Sequence, residues 1–308
     1  MLIKTYHLGL DLGGTKFSGV LLDGNGHDIV YREVPVRRTW TPKNLTHLLQ
    51  SLANDIVERA GIMPKKLKTI GIGVPGIVDD KGDIKKVINL SALEHVNVRK
   101  IIPGVPVSVY NDAVCACYAE ATLGELTRST TGIHLMLGTG LGSAAAFRYG
   151  EKNMMGNRTM LQISNLEMGH ITADINNVVN GSSTDEPYEL EDFCSRKFFS
   201  RETDLSLREL YREYLEGDHG SQQLFARFGA HIGSLLATVE TLYRPDTIVL
   251  GGGLTAYYKA YKGVMDNVYH SRRFLTDKPA PVRLSAFGKE VGAIGAALYG
   301  MTGSQKRG

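Results

Sequence analysis

A glycine-centred hairpin occurs twice in this chain, and the repetition limits the folds open to it. The first copy begins with an apolar run, His7-Leu8-Gly9-Leu10-Asp11-Leu12, continues through Gly13-Gly14-Thr15-Lys16, and is followed by a strand over residues 17–22 and a turn at Asp23-Gly24-Asn25-Gly26. The second copy reads Ile133-His134-Leu135-Met136-Leu137, then Gly138-Thr139-Gly140-Leu141-Gly142, a strand over residues 143–148 and a hairpin at Tyr149-Gly150-Glu151-Lys152. Two such openings, one near the start of each half, imply two domains of common plan, each a sheet with helices. A chain of 308 residues is long enough for both.

The intervening segments fill in that plan. A third strand is expected over residues 28–36. A helix follows, with Thr41 as N-cap, Pro42 at the first position and an apolar stripe of Leu45, Leu48, Leu49, Leu52, Ile56 and Val57, ended by Gly61. Residues 67–74 form a strand that stops at Pro75-Gly76, and Asp80-Lys81-Gly82-Asp83 is a turn. The β-branched run from residue 105 to 110 stops at Asn111-Asp112, where a helix running to about Gly124 begins. Residues 176–206 show weak periodicity and read as a long loop lining a site. Helices are expected over 207–215 and 222–242, a strand over 247–250 ending in Gly251-Gly252-Gly253, and a small, apolar helix over 291–299 suited to close packing. The expected domains are residues 1–112 with 290–308, and residues 113–289, around a cleft.

Composition excludes several function classes. A net charge of +3 is too small to imply a nucleic-acid or membrane partner. The longest uncharged stretch, residues 131–147, is broken by glycines and is no membrane span. No signal peptide is visible, and three cysteines (Cys115, Cys117, Cys194) argue for a reducing compartment without disulfides, so the cytoplasm is the expected location.

Asp11 stands at a strand end beside Gly13 and Gly14, whose N–H groups can face an anion, with a hydroxyl from Thr15 and a cation from Lys16. An acid beside a phosphate suits a hydrated Mg²⁺. Gly138, Thr139 and Gly140 repeat the arrangement, and Gly251, Gly252 and Gly253 let backbone approach a flat ligand such as adenine. Each turn alone is most often only a turn. A carboxylate at the Asn111-Asp112 corner is either a helix cap or a catalytic base.

Taken in order, Asp11 to Lys16, Gly73-Val74-Pro75-Gly76, Asn89-Leu90, Asn111-Asp112-Ala113, Gly138-Thr139-Gly140-Leu141-Gly142, Glu167-Met168-Gly169-His170, Leu250-Gly251-Gly252-Gly253 and Gly292-Ala293-x-Gly295-Ala296 resemble the ROK family. That resemblance implies a two-domain α/β fold of the actin-like, hexokinase-like (ribonuclease H-like) type, each domain a mixed sheet flanked by helices. It implies an ATP- and Mg²⁺-dependent hexose kinase, with Asp112 as general base on a sugar hydroxyl, usually the one on carbon 6. Gly76, Asn89, Asn111, Glu167, His170 and Glu191 become the sugar-binding set. The glycine turns with Thr15 and Lys16 bind the nucleotide, and Asp11 holds Mg²⁺ through water. Glucose is the first expected sugar, with allose, mannose, fructose and N-acetylated hexosamines as alternatives, and a homodimer is expected. From other classes, the family offers repressors and non-catalytic sugar sensors; the phosphate hairpin at residue 11 leaves no room before it for a DNA-binding module. One departure stands out. The family's Cys-x-Cys-Gly-x-x-Gly-Cys loop after Gly-His is missing, since no cysteine lies between His170 and Cys194, so no structural zinc is expected.

Overall fold

The computed structural model describes residues 4–37, 39–79, 83–87, 90–153, 156–173, 188–271 and 278–305. It divides into two compact units, Met1–Gly124 with Phe287–Gly308, and Glu125–Ala286. Each is an α/β unit built on a five-stranded mixed sheet.

In the first unit, β1 (Tyr6–Leu12), β2 (Lys16–Asp23) and β3 (Asp28–Pro35) form an antiparallel meander, and β4 (Leu67–Val74) and β7 (Val107–Asn111) extend it in parallel, giving the order β3-β2-β1-β4-β7. A small hairpin, β5 (Gly76–Val78) and β6 (Ile84–Val87), follows β4. Helix α1 (Pro42–Arg59) starts as expected. Thr41 accepts from the Asn44 N–H while the Asn44 side chain accepts from the Thr41 N–H, with Pro42 at the first position. It buries Leu45, Leu49, Leu52, Ala53, Ile56 and Val57.

Helix α8 (Val291–Gln305) lies on the other face of the sheet. A Cβ added to Gly9 would lie 1.9 Å from the Ala293 carbonyl oxygen, and one on Gly71 1.8 Å from that of Ala296. On its far side, α8 meets α2 (Asp112–Leu123), where a Cβ on Gly295 would fall 1.7 Å from the Cys115 carbonyl oxygen. The helix thus touches β1, β4 and α2 backbone to backbone, which is why its sequence is small and apolar. This contact carries the unit past the expected boundary at residue 112: α2 packs on α8 and belongs with it, and the chain leaves at Gly124.

The second unit repeats the sheet plan: β8 (Thr131–Leu137), β9 (Leu141–Asn153) and β10 (Gly156–Asn165) are antiparallel, and β11 (Thr247–Gly251) and β12 (Val282–Leu284) add in parallel, in the order β10-β9-β8-β11-β12. The hairpin expected at residues 149–152 is in fact strand: Gly150 pairs with Thr159 and Glu151 with Arg158, so the ladder runs on to Asn153. The loop expected over 176–206 contains two short helices in its described part, α3 (Leu190–Cys194) and α4 (Arg196–Glu202). Helix α5 (Leu207–Glu216) leads to the long α6 (His219–Tyr243), and α7 (Tyr258–Ser271), absent from the sequence expectation, packs against α6. Gly229 and Gly233 face the backbone of Tyr261 and Met265 at that crossing. The unit's core is aromatic, with Phe198, Phe199, Phe225, Phe228, Tyr261 and Tyr269 buried. Among the described residues, no helix is long and apolar enough to cross a membrane.

Replacing Gly295 with valine is expected to destabilise the protein by at least about 3 kcal/mol, since backbone on both sides of the contact leaves nothing that can yield. A urea denaturation curve against wild type checks this.

Candidate active site

Strands β1, β4 and β7 run parallel, and Asp11 is registered with Gly73 and Gly73 with Tyr110, so their C-terminal ends form one edge. Ligands of open α/β sheets bind outside such edges. A Cβ on Gly73 would lie 3.6 Å from Asp11 Oδ1 and 3.5 Å from the Asp112 Cα, so this glycine is the gap between the two acids.

The corner at the end of β7 divides its duties between neighbouring residues. Asn111 is the N-cap of α2: its Oδ1 accepts from the N–H groups of Ala113, at 2.9 Å, and Val114, at 3.2 Å, while its Nδ2 donates to the Gly76 carbonyl at 3.2 Å. Asp112 is the first residue of the helix, with Oδ1 2.9 Å from the Ala113 N–H. Gly76 must be glycine for the β5–β6 hairpin, because a Cβ there would meet the Lys86 carbonyl oxygen at 2.0 Å. Asn89 lies outside the described residues.

Asp11 is half-buried, and its carboxylate accepts no hydrogen bond among the described residues. It rests against the first turn of α8, where a Cβ on Gly292 would fall 2.8 Å from Asp11 Oδ2. Burial pushes this carboxyl up to about 6, against the opposing pull of Lys16. An acid without a donor, beside the positive end of a helix, fits a hydrated divalent cation. Gly13, Gly14 and Thr15 form the β1–β2 turn, with the Thr15 carbonyl taken by the Val36 N–H. Lys16 is turned elsewhere than expected. Its ammonium lies 3.1 Å from Glu33 on β3, and Lys289 approaches the other oxygen of Glu33 at 2.7 Å. Hydrogen bonds from Lys289, Lys16 and Tyr31 hold the Glu33 carboxyl down at about 2.

In the second unit, the Gly138–Gly140 turn closes through the Gly138 N–H to the Gly140 carbonyl at 3.0 Å. Glu191, on α3, lies directly over it: Oε2 accepts from the Leu141 N–H at 3.3 Å and would sit 2.5 Å from a Cβ on Gly140. The Arg196 N–H at the start of α4 donates to the Gly138 carbonyl at 2.9 Å, and Lys197 pairs with Glu191. Glu167 has φ 47° and ψ 36°, left-handed backbone that a glutamate adopts only under constraint. The constraint comes from Ser143, whose Oγ and carbonyl accept from the Met168 and Leu166 N–H groups. The Glu167 carboxylate accepts from Asn165 Nδ2 at 2.7 Å and lies 3.8 Å from His170 Nε2. His170 thus lies beside Glu167, and a Glu191 carboxylate oxygen lies within 4.8 Å of a His170 ring nitrogen. Packing accounts for part of the triple-glycine turn. Gly251 is pressed against the His134 ring and Gly252, at φ 87°, against the Leu137 backbone, whereas Gly253 faces open space.

The ROK family model matches residues 7–301. The chain belongs to the ROK family. It is 24% identical over 309 residues to an N-acetyl-D-glucosamine kinase of Haemophilus influenzae, covering 96% of this chain and 99% of that protein. It is also 24% identical to a xylose repressor of Bacillus spizizenii over 253 residues, 80% of this chain and 63% of the repressor. Among solved structures it resembles a ROK family glucokinase from Streptomyces griseus in complex with glucose and AMPPNP, with a TM-score of 0.76 at 21% identity, covering 96% of this chain and 99% of that one.

Within that family the donor set here does not fit a structural zinc. The thiols are Cys115 and Cys117 on α2 and Cys194, which is fully buried and pushed up to about 12 by that burial. Sequence reasoning missed Lys197, Glu189, Glu33 and Lys289. The first two lie in the polar stretch taken for loop, and the last two reach the turn only through tertiary structure.

Asp11 binds its proton more tightly in the folded state, at about 6, than at its ordinary 3.8, so it costs stability as pH rises through that window and at every pH above it. Asp11→Asn is therefore expected to be more stable than wild type at pH 7.5, by roughly 2–3 kcal/mol at about 1.4 kcal/mol per unit, with a smaller gain at pH 5. Urea titrations at the two pH values check it.

Proposed function

We propose that this chain is an ATP-dependent sugar kinase, transferring the γ-phosphoryl group to a hydroxyl of an aldohexose or an N-acetylated hexosamine. The observation that carries the reading is the Asn111-Asp112 corner. Asn111 caps α2 by accepting from the Ala113 and Val114 N–H groups, and the Asp112 carboxylate stands beside it on the first turn, where it accepts from the Ala113 N–H. Asp112 acts as general base, accepting the hydroxyl proton as the oxygen attacks phosphorus. Phosphoryl transfer needs chiefly positioning and charge neutralisation. In the first unit, the N–H groups of the Gly13–Thr15 turn and the N-terminus of α8 supply donors and positive potential for a polyphosphate. Lys16 and Lys289 share one carboxylate, Glu33, beside this turn. Mg²⁺ held by Asp11 through water would neutralise phosphate charge when bound.

Glu167, His170 and Glu191 bind the sugar hydroxyls, accepting and donating in pairs. On the sugar's identity, N-acetyl-D-glucosamine joins glucose at the head of the panel, supported by the names of relatives from Haemophilus influenzae and Pectobacterium carotovorum. The two sugars differ at carbon 2 alone, so they exchange one hydroxyl for an acetamido group without altering the attacking oxygen.

Coupled ADP release over a panel of hexoses, hexosamines and their N-acetyl derivatives tests the reading. Turnover with at least one is expected, and none with any would refute it. Asp112→Asn is expected to lower kcat by about 10²–10⁴-fold, the usual worth of a general base, with the sugar KM and the melting temperature nearly unchanged. The second reading, sugar binding without transfer, is favoured by the resemblance to a repressor. Calorimetric sugar binding by a protein that releases no ADP would support it.

A further inference from the structure

His170 is the one imidazole of the sugar-binding set, and the residue holding it is Glu189, which no sequence motif singles out. Glu189 Oε2 lies 2.9 Å from His170 Nδ1. Its backbone is fastened on both sides: Glu189 forms a β-bridge with Thr172, the Ala173 N–H donates to the Tyr188 carbonyl at 2.7 Å, and the Leu190 N–H donates to the Ile171 carbonyl at 2.8 Å. Its own N–H donates to Asp192 Oδ2 at 2.8 Å in a reciprocal cap of α3. The carboxylate that meets His170 is thus carried by backbone tied to α3 and to the segment after the 168–170 turn.

The other ring nitrogen, Nε2, lies 3.8 Å from Glu167 Oε2, too far for a direct hydrogen bond and spaced for a shared hydroxyl. The ring faces Glu167 on its own turn and Glu189 and Glu191 on and beside α3, while Lys197 pairs with Glu191 and lies 3.8 Å from Asp192. Glu189 is therefore the acid that bonds the ring directly.

We propose that Glu189 is the positioning residue for His170. It fixes the ring through Nδ1 so that Nε2, together with Glu167, meets vicinal hydroxyls of the sugar. A carboxylate behind an imidazole sets the orientation of the ring and which nitrogen is left for the ligand. The inference rests on the kinase reading for its ligand, but the pairing itself is independent of turnover. The hydrogen bond that His170 donates to Glu189 is the chief reason the imidazole is held above its ordinary 6.5, opposed by burial and helped by the charges of Glu189, Glu191 and Glu167. His170 thus stays cationic to higher pH than a free imidazole, and loses that charge, and part of its hold on Glu189, as pH rises through its own value.

Glu189→Gln tests this, because glutamine keeps the size and a carbonyl oxygen for the α3 cap while removing the charge. The expected result is a sugar KM raised by about ten-fold or more, the weight of a lost charge-assisted hydrogen bond, with the ATP KM and kcat little changed. The His170 ring, followed by NMR, is expected to titrate at lower pH than in wild type. The rise of the sugar KM with pH is expected to begin at correspondingly lower pH, and Glu189→Asp to recover part of the loss. An unchanged His170 titration would overturn the proposal. So would parallel loss of kcat and both KM values with a lowered melting temperature, which marks a merely structural role. Stoichiometric metal in the purified protein that is lost on Glu189→Gln would also overturn it, making His170, Glu189 and Glu191 metal ligands instead. If wild type phosphorylates no sugar, the kinase reading fails, while the NMR titration still decides whether Glu189 holds His170.

Discussion

Helix α8 reaches the first sheet only because Gly9 and Gly71 carry no side chain there, and it reaches α2 only because Gly295 carries none. Much of the first site follows from that approach. Backbone contact on both faces fixes the axis of α8, and so brings its first turn, at Gly292, against Asp11. It also anchors α2 beside the strand ends, which sets the corner where Asn111 caps and Asp112 begins the helix. A larger residue at Gly9 or Gly71 would lift α8 from the sheet and take the helix terminus away from the acid, and one at Gly295 would part α8 from α2. The positive end of a helix is effective only within its first turn, so a small displacement is enough to lose it.

The two units share a sheet plan but use the glycine turn differently. In the first, the turn is followed by Lys16, whose charge is taken up by Glu33 across the β2–β3 ladder. In the second, the turn lies under a carboxylate, Glu191, whose charge is balanced by Lys197. A repeated backbone motif thus carries a cation of its own in one copy and, in the other, a carboxylate brought from a distant helix. The chemistry of each copy is decided by what tertiary structure brings to it.

That division also explains what could be read from the sequence. The strand runs of both hairpins, the α1 stripe with its Thr41 cap, and the small-residue face of α8 are local signals, and each was legible. The Asn111-Asp112 corner was legible as an ambiguity between cap and base, and the structure shows Asn111 as the N-cap of α2. Helices α3 and α4 were not legible, being short and held by contacts such as that of Arg196 with Gly138. Helix α7 was obscured because its buried positions are Tyr261, Met265 and Tyr269, two of them bearing hydroxyls. Strand β10 alternates too weakly in polarity to declare itself, and pairing carries it instead. Glu189 and His170 are 19 residues apart, with polar sequence between them, and nothing local marks the pair.

The left-handed backbone at Glu167 has an evolutionary consequence. Glycine would fit that conformation without strain, and asparagine more readily than glutamate. Replacement by glycine or asparagine at this position therefore relieves backbone strain, whereas most substitutions elsewhere destabilise. A lineage that no longer needed the carboxylate would drift away from it with no structural barrier to slow the change. The identity of residue 167 across related chains would then serve as a record of which have kept the acid's task and which have let it go.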